Sequence, residues 1–577
     1  MRRAHSMPFG AERAEGGARF RLWAPARKSV ELLLGHDRER SVEMRAGTRG
    51  WHEIAMENVP AGTPYAFRVD DDAPVADPAS RSNPWGPGGR SVFVDPHSYE
   101  WHDEDWRGRP WGDAVVYELH VGAFTPEGTF AAASGKLDHL AHAGVTALEI
   151  MPVSQFPGAR NWGYDGVLPF APHASYGTPE DFKAFVDDAH ERGIMVLLDV
   201  VYNHFGPEGN YLHRYAPQFF NEAHRTPWGA AINFDGEHSD VVRAFFVHNA
   251  LYWIEEFHLD GLRLDAVHAI ADDSPRHVVR EIAKAVADGP GRERHVHLVL
   301  ENERNDAKLL ERTGAHATAQ WNDPWHHCVH VLCTGETSGY YGKFTRDTPR
   351  LLARSFAQGF DASLPSAAFM PFLQNHDQAG NRAFGERFSV LAPPEASRLA
   401  QAALLLAPQV PLLFMGEEIG AKAPFLYFCD FHDDLARAVR EGRRKEFAAF
   451  PEFAAEEARA SIPDPNAEAT FLASKVDWDA ANAGCLARVT ALLALRREHI
   501  VPRLDDAPRA ASFDARDPGG VMVDWTLADG SRLHLRANFS ADAAAIPLAP
   551  GAMLHGEGSC NGGLGPWSGV WTLEAAR

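Results

Sequence analysis

Eight apolar runs, each followed by helical grammar, constrain this chain more than any other feature. After Trp111 they read AVVYELHVGAF, ALEIMPV, IMVLLDVVYNH, GLRLDA, HLVLEN, AQWND, AFMPFLQNHD and PLLFMGEE. Strands alternating with amphipathic helices specify a parallel sheet, and eight of them are what a closed (β/α)8 barrel needs. The helix before the third run shows the quality of the signal. Thr178 is placed as N-cap, Pro179 at N1 and Asp181 as a weak capping box, with Phe182, Phe185, Val186 and Ala189 on one face and Gly193 as the stop.

The flanks of this region read differently. From about Phe9 to Asp95, short alternating runs such as ARFRLWAP, SVELLL and TPYAFRVD predict a small β-sandwich. Residues 77–111, rich in Pro, Gly and Trp, read as a connection. From about Val501, GVMVDWTL, SRLHLRANF and GVWTLEA predict a second β unit. The expected fold class is therefore α/β, divided into an N-terminal β-sandwich (1–98), a (β/α)8 barrel (99–499) and a small C-terminal β domain (500–577). The stretch from His204 to about Asp240 carries aromatics and Gly but little periodicity, and is expected to be a long functional loop.

Charge and cysteine usage narrow the partners. The 56 basic against 78 acidic residues give a formal charge of −22, which repels phosphate backbones and anionic membranes, so nucleic acid and lipid are poor partners. The five cysteines are sparse and lack paired C-x-x-C spacing, which argues against a disulfide framework or zinc site and fits a reducing cytoplasm. The first residues, MRRAHSMPFGAERAEGG, lack the apolar core of a secretory signal. The greasiest stretch, Leu399 to Met415, contains Gln401, Pro408, Gln409 and Pro411 and reads as a buried helix running into a strand, with no membrane span.

Active sites of such barrels lie at the C-terminal ends of the strands. Four runs end there in a carboxylate within a polar cluster: Asp199, Asp265, Glu301 and Asp377. Any one alone is more often a solvated strand end or an ion pair; four on one rim are harder to dismiss. Arg263 and Asp265, two apart on a strand, share a face, so the guanidinium should hold the aspartate ionised, as a nucleophile requires. A structural salt bridge is the better reading for Asp199. Glu301, closing the apolar run HLVL, should have its pKa raised by desolvation and like charge, which suits a general acid. A nucleophilic Asp and an acid Glu are the equipment of retaining glycoside hydrolysis. Trp162, Tyr164, Tyr202, Trp228, Trp321 and Trp325 flank these clusters as possible sugar platforms. His326, His327 and His330 raise metal binding as a rival, but no H-E-x-x-H occurs, and Asn375-His376-Asp377 and Asn203-His204 read better as donors to hydroxyls. No nucleophile elbow or phosphate loop is present.

DVVYNH at 199–204, GLRLDAVH at 261–268, Glu301 after a strand and QNHD at 374–377 resemble the four signature regions of the alpha-amylase superfamily of glycosidases. NWGYDGVLPFAPHASYG, VVYNHFGPEGNYL, TPWGAAINFDG, QWNDPWHH and PLLFMGEE are similar to the malto-oligosyltrehalose trehalohydrolases, over nearly the whole chain and including a carbohydrate-binding-like N-terminal module. The resemblance implies Asp265 as nucleophile, Glu301 as acid/base and Asp377 as the carboxylate that grips the sugar hydroxyls. It implies that Arg263 orients Asp265, that His204 and His376 bind the glucosyl unit at the cleavage point, and that Tyr164 stacks beneath it. It places His268, Asp323, His327, Gln378 and Asn381 along the site, and Asp199 and Asn203 as structural. An Asn at the place of Asn203 binds calcium in many relatives; the loop here lacks an evident carboxylate cage, so neither a metal nor a cofactor is expected.

The implied substrate is malto-oligosyltrehalose, and the pathway implies a malto-oligosyltrehalose synthase as the source of it. Two alternatives stay open at this level. A glycogen branching or debranching enzyme would share the sandwich, the barrel and the carboxylates, and a non-catalytic glucan-binding scaffold would be expected to have lost one of the three acids.

Overall fold

The computed structural model describes residues 1–36, 39–226, 229–560 and 563–576. All eight apolar runs are strands: β1 (Val116–Leu119), β2 (Ala147–Ile150), β3 (Met195–Val200), β4 (Gly261–Leu264), β5 (His297–Leu300), β6 (Ala319–Trp321), β7 (Phe369–Met370) and β8 (Leu412–Phe414). They form one parallel sheet in the order β7-β6-β5-β4-β3-β2-β1-β8. A parallel bridge between Phe372 and Leu412 and the Leu412 N–H to Pro371 carbonyl bond of 3.0 Å close the ring between β7 and β8.

Period-two alternation sorts the strand side chains into two apolar clusters. Val116, Ala147, Met195, Leu197, Val299, Ala319, Trp321, Met370 and Leu412 fill the barrel interior. Their neighbours Tyr117, Leu148, Val196, Leu198, Leu262, Leu264, Leu298 and Leu413 belong to the larger cluster shared with the helices. The register sets Asp199 beside Arg263 and Glu149 beside Glu118 on the interior side, so the polar side chains sit above an apolar plug.

Among the helices around the barrel are α1 (Pro179–Glu191), α2 (Ser239–Glu256), α3 (Val278–Asp288), α4 (Asp323–Thr334), α5 (Thr348–Gln358), α6 (Pro394–Leu405) and α7 (Ala483–Leu495). α1 follows the sequence reading closely: Thr178 and Asp181 form a full capping box, and Gly193 takes φ 71° just past the end. The stretch after His204 is more ordered than its sequence suggests. It holds an antiparallel pair, Phe220–Thr226 with Gly229–Ile232, whose pairing shifts register between Asn221 and Arg225; so irregular a ladder leaves little strand periodicity to read.

The N-terminal region is two four-stranded antiparallel sheets. It docks on the barrel through Phe9, whose ring meets Phe245 of α2 edge-on at 5.2 Å, and through the Arg27 guanidinium, which donates to the Arg214 carbonyl at 2.7 Å. At the other end, β9 (Ala511–Arg516), β10 (Gly520–Thr526), β11 (Arg532–Asn538), β12 (Ala552–Glu557) and β13 (Ser568–Glu574) form one antiparallel sheet in the order β9-β10-β11-β13-β12. It lies on α5 and α6: the Trp525 indole N–H donates to the Phe356 carbonyl at 3.0 Å, and Arg398 pairs with Glu557 at 3.3 Å. The Leu399–Met415 stretch is the end of α6 running into β8. No helix among the described residues is long and apolar enough to cross a membrane.

Replacing Thr178 with Ala removes the side-chain acceptor of the α1 cap and should cost about 1 kcal/mol. Urea titration of the variant should show that loss, with an unchanged m-value.

Candidate active site

The C-terminal ends of the strands open into a cavity of about 750 Å³ that brings together Asp265, Glu301 and Asp377. Tyr164, His204, His268, Asp323, His327, His376, Gln378 and Asn381, all singled out from sequence, line the same cavity. Arg263, Asp199 and Asn203 lie beneath it, with no more than 3% of each residue exposed.

That lower layer fixes Asp265. One nitrogen of Arg263, Nη1, donates to Asp265 Oδ1 at 2.7 Å and to Asp199 Oδ2 at 2.8 Å, and the guanidinium lies over the Trp321 ring at 4.1 Å. Asn203 donates from Nδ2 to Asp265 Oδ2 at 2.9 Å and to the Asp265 carbonyl at 3.0 Å, so both carboxylate oxygens are held. The other end of the Asn203 amide bonds to the His204 ring, which leaves this side chain engaged at both ends within the site. Burial pushes Asp199 up to about 6, and the positive charge of Arg263 works against that shift. The Tyr164 hydroxyl donates to Asp199 Oδ2 at 2.6 Å, which ties this cavity-lining ring to the same ion pair.

Backbone geometry brings Glu301 to Asp265. Ala266, immediately after Asp265, takes φ 41° and ψ 49°, a left-handed conformation that costs a non-glycine residue roughly 1–2 kcal/mol. The turn aims the Ala266 N–H at Glu301 Oε2, 2.7 Å away, while the Val267 N–H bonds the Glu301 carbonyl at 3.0 Å. Burial pushes Glu301 up to about 8; the carboxyls of Asp265, Asp323 and Asp377 add to the shift and Arg263 opposes it. Glu301 therefore carries its proton at neutral pH. Asp323, at the start of α4, is itself pushed up to about 7 by burial and by Asp377.

Asp377 stands on a one-turn helix, His376–Gly380, capped by Asn375, whose side chain accepts the Gln378 N–H at 2.8 Å. Asn381 donates to Asp377 Oδ1 at 3.1 Å. His376 is anchored by Glu118 through both its ring and its backbone N–H, the latter at 3.0 Å. Burial works against a charge on His376, yet the Glu118 and Asp377 carboxylates raise its pKa overall. Its ring stacks on Tyr164 at 5.0 Å and 26°, with Trp162 edge-on at 5.4 Å.

Not every expected aromatic faces the cavity. Trp162 and Tyr164 do. Tyr202, Trp321 and Trp325 are at most 1% exposed: Tyr202 donates to Asn249, Trp321 supports Arg263, and Trp325 packs edge-on against Phe356. Trp228 lies outside the described residues. Tyr340 and Phe344, on the 3-10 helix Gly339–Phe344, and Tyr427, on a loop, line the cavity where no strand-end position marks them. Glu118, also not anticipated, could have been found as an acid inside the apolar run VVYELH, in phase with interior Val116.

Two of the three histidines of α4 are engaged locally, and the third, His327, faces the cavity. His326 bonds the Leu373 carbonyl at 2.8 Å, and His330 bonds Glu336 at 2.6 Å and stacks on Tyr341. Among the described residues, His224, Asp235 and Asp273 have ligand-type atoms within 4.8 Å of one another, but Asp235 already accepts from Asn221, His224 and the Asp273 N–H.

Known proteins place this geometry. The alpha amylase catalytic domain matches residues 93–226, carbohydrate-binding module 48 (isoamylase N-terminal domain) matches 8–97, and a domain of unknown function matches 508–571. A malto-oligosyltrehalose trehalohydrolase of Saccharolobus solfataricus is 40% identical over 85% of this chain and 87% of its own. That of Arthrobacter ramosus is 41% identical over 88% and 90%. The crystal structure of a candidate alpha amylase from Salmonella typhimurium superposes with a TM-score of 0.93 at 44% identity, covering 99% of this chain and all of that one.

Arg263→Ala would leave the buried Asp199 and the cavity-lining Asp265 without their cation, and an uncompensated buried charge costs about 3–5 kcal/mol; denaturant unfolding should register it. Because Glu301 must be protonated to act as an acid, kcat/KM should fall as pH rises through about 8. Asp323→Asn removes a neighbouring charge that raises Glu301, so the alkaline limb of that profile should move to lower pH.

Proposed function

The chain belongs to the malto-oligosyltrehalose trehalohydrolases, glycoside hydrolases built on the alpha-amylase catalytic domain, and on that premise we propose which of its residues carry the reaction. The reaction is hydrolysis of the α-1,4 bond that joins a malto-oligosaccharide to a terminal trehalose unit. The proposed chemistry retains configuration. Asp265, held at both oxygens, attacks the anomeric carbon while protonated Glu301 gives its proton to the departing oxygen; Glu301, now a base, then takes a proton from the water that releases the glycosyl group. Asp377 accepts hydrogen bonds from the hydroxyls of that sugar and stabilises the positive charge that develops on its ring. His204 and His376 donate to the same glucosyl unit, and Tyr164 lies beneath it. His268, Asp323, His327, Gln378 and Asn381 supply the remaining polar wall, and Asp199 and Asn203 act from below.

The observation that carries this reading is the contrast between the two acids. Asp265 is gripped by a guanidinium and an amide, whereas Glu301 is buried among carboxyls and keeps its proton, so neighbouring groups are set for opposite roles. We further propose three structural units, 1–98, 99–499 and 500–577, a cytoplasmic location consistent with five unpaired cysteines, and no nucleic-acid partner given the net charge of −22. No cofactor or metal takes part in the proposed steps. A synthase that caps glucans with trehalose is the proposed source of substrate.

The test compares a malto-oligosyltrehalose with the maltodextrin of equal length. Rapid trehalose release with little maltodextrin cleavage supports the reading; equal attack on both, or new α-1,6 linkages, would overturn it in favour of a general glucan hydrolase or a branching enzyme. Asp265→Asn should lower the rate by several orders of magnitude while glucan binding persists.

A further inference from the structure

The helix Asp433–Glu446 follows the last barrel strand, and its one buried residue is an arginine. Its apolar residues Leu435 and Val439 are only half-buried, so the deepest contact of this helix is made by a cation rather than by an apolar stripe. Arg443 is 9% exposed, while its acidic neighbour Glu446, at 3.3 Å, has 59% of its side chain in solvent. Burial lowers the pKa of Arg443, and Glu446 opposes that shift. An arginine is seldom enclosed without a buried counter-ion, so the groups it does meet carry the explanation.

Those groups lie behind Asp377. Arg443 Nη2 donates to the Gly380 carbonyl at 2.8 Å and to the Arg382 carbonyl at 3.0 Å. Gly380 ends the one-turn helix that bears Asp377, and carbonyls at a helix C-terminus lack an intrahelical donor and take a cation well. The two carbonyls flank Asn381, the residue whose amide donates to Asp377 Oδ1 at 3.1 Å. The guanidinium also lies 5.7 Å from the centre of the Tyr427 ring, which lines the catalytic cavity, and 4.8 Å from that of Phe447. The other end of the turn is held by the Asn375 cap and by Glu118 through His376. Asp377 has 44% of its side chain exposed, so its place is set by this backbone rather than by packing around the carboxylate.

We propose that Arg443 is a positioning residue for the reaction: it clamps the backbone on both sides of Asn381 and thereby fixes where the Asp377 carboxylate meets the sugar. A shift of about 1 Å in such a group can cost about a hundredfold in rate. The proposal rests on the reading of Asp377 as one of the three reacting carboxylates, and not on the identity of the leaving group.

Double-mutant cycles in the full chain test it, with maltotriosyltrehalose and with α-maltotriosyl fluoride, whose cleavage uses the same glycone but no trehalosyl end. Arg443→Met keeps the stem and removes the donors; kcat should fall at least tenfold on both substrates while KM changes about twofold or less. Arg443→Lys, whose ammonium can reach a carbonyl, should regain part of that loss. In an Asp377→Ala background, Arg443→Met should cost about twofold or less, because the carboxylate it positions is no longer there. Arg440, on the same helix, pairs with Asp464 at 3.2 Å, and Arg440→Met should leave kcat unchanged. An unchanged kcat in Arg443→Met, an equal loss in the two backgrounds, or an equal loss from Arg440→Met overturns the proposal. If Arg443→Met does not fold, the same cycle is run with Arg443→Lys and judged by the same non-additivity. Failure of the underlying reading looks different. An Asp377→Ala enzyme as fast as the parent would remove Asp377 from the reaction, and the proposal with it, whereas equal attack on maltodextrin would sink the trehalohydrolase reading and leave the fluoride cycle as decisive as before.

Discussion

Everything at the catalytic end hangs from one buried cation. Arg263 is fully enclosed, and a single nitrogen of its guanidinium is shared between Asp199 and Asp265. An isolated charge in such a place would be prohibitive; two carboxylates and the face of Trp321 make it tolerable. The arrangement works in both directions, because the cation also sets where the carboxylates stand. Asp265 inherits its aim from β4, Asp199 inherits its partner from the β3–β4 register, and Tyr164 is brought over the pair through its bond to Asp199.

The neighbouring acid is governed by the opposite condition. Glu301 sits where burial and other carboxyls discourage ionisation, and it accepts a backbone N–H bond delivered by a strained residue, Ala266. The strain is local and the rest of the strand is regular, which is how a fold can hold a few unfavourable angles where chemistry needs them. Two acids on adjacent parallel strands thus meet different surroundings: one faces a guanidinium below and the other faces carboxyls above.

Much of this was legible in the sequence, and the reasons differ by residue. The barrel strands are buried on both faces, so they appear as near-continuous apolar runs, and the polar residues that end them stand out. Arg263 and Asp265 could be placed on one face because strand periodicity is strict. Trp321 and Trp325 could not be told from sugar platforms by sequence, because a large aromatic beside a catalytic motif looks alike whether it supports a cation, fills a core or meets a sugar; only the packing separates these. Tyr340 stands on a short 3-10 helix and Tyr427 on a loop, where sequence spacing carries no strand-end signal. Glu118 was hidden by its own strand, its role being defined by His376, 258 residues away.

The ring of strands has a narrow seam. β7 contributes two residues to the sheet, and its closure with β8 is a single bridge supported by two neighbouring backbone bonds, Leu412 N–H to Pro371 and Val410 N–H to Phe369. The helices that lead into these two strands, α5 and α6, are the ones on which the C-terminal sheet lies, through Trp525 and through the Arg398–Glu557 pair. That sheet therefore behaves as a splint across a hoop at its weakest joint. Asp377 lies seven residues past the end of β7, so a unit that contributes no residue to the described lining of the catalytic cavity stiffens the ground on which one of its carboxylates stands.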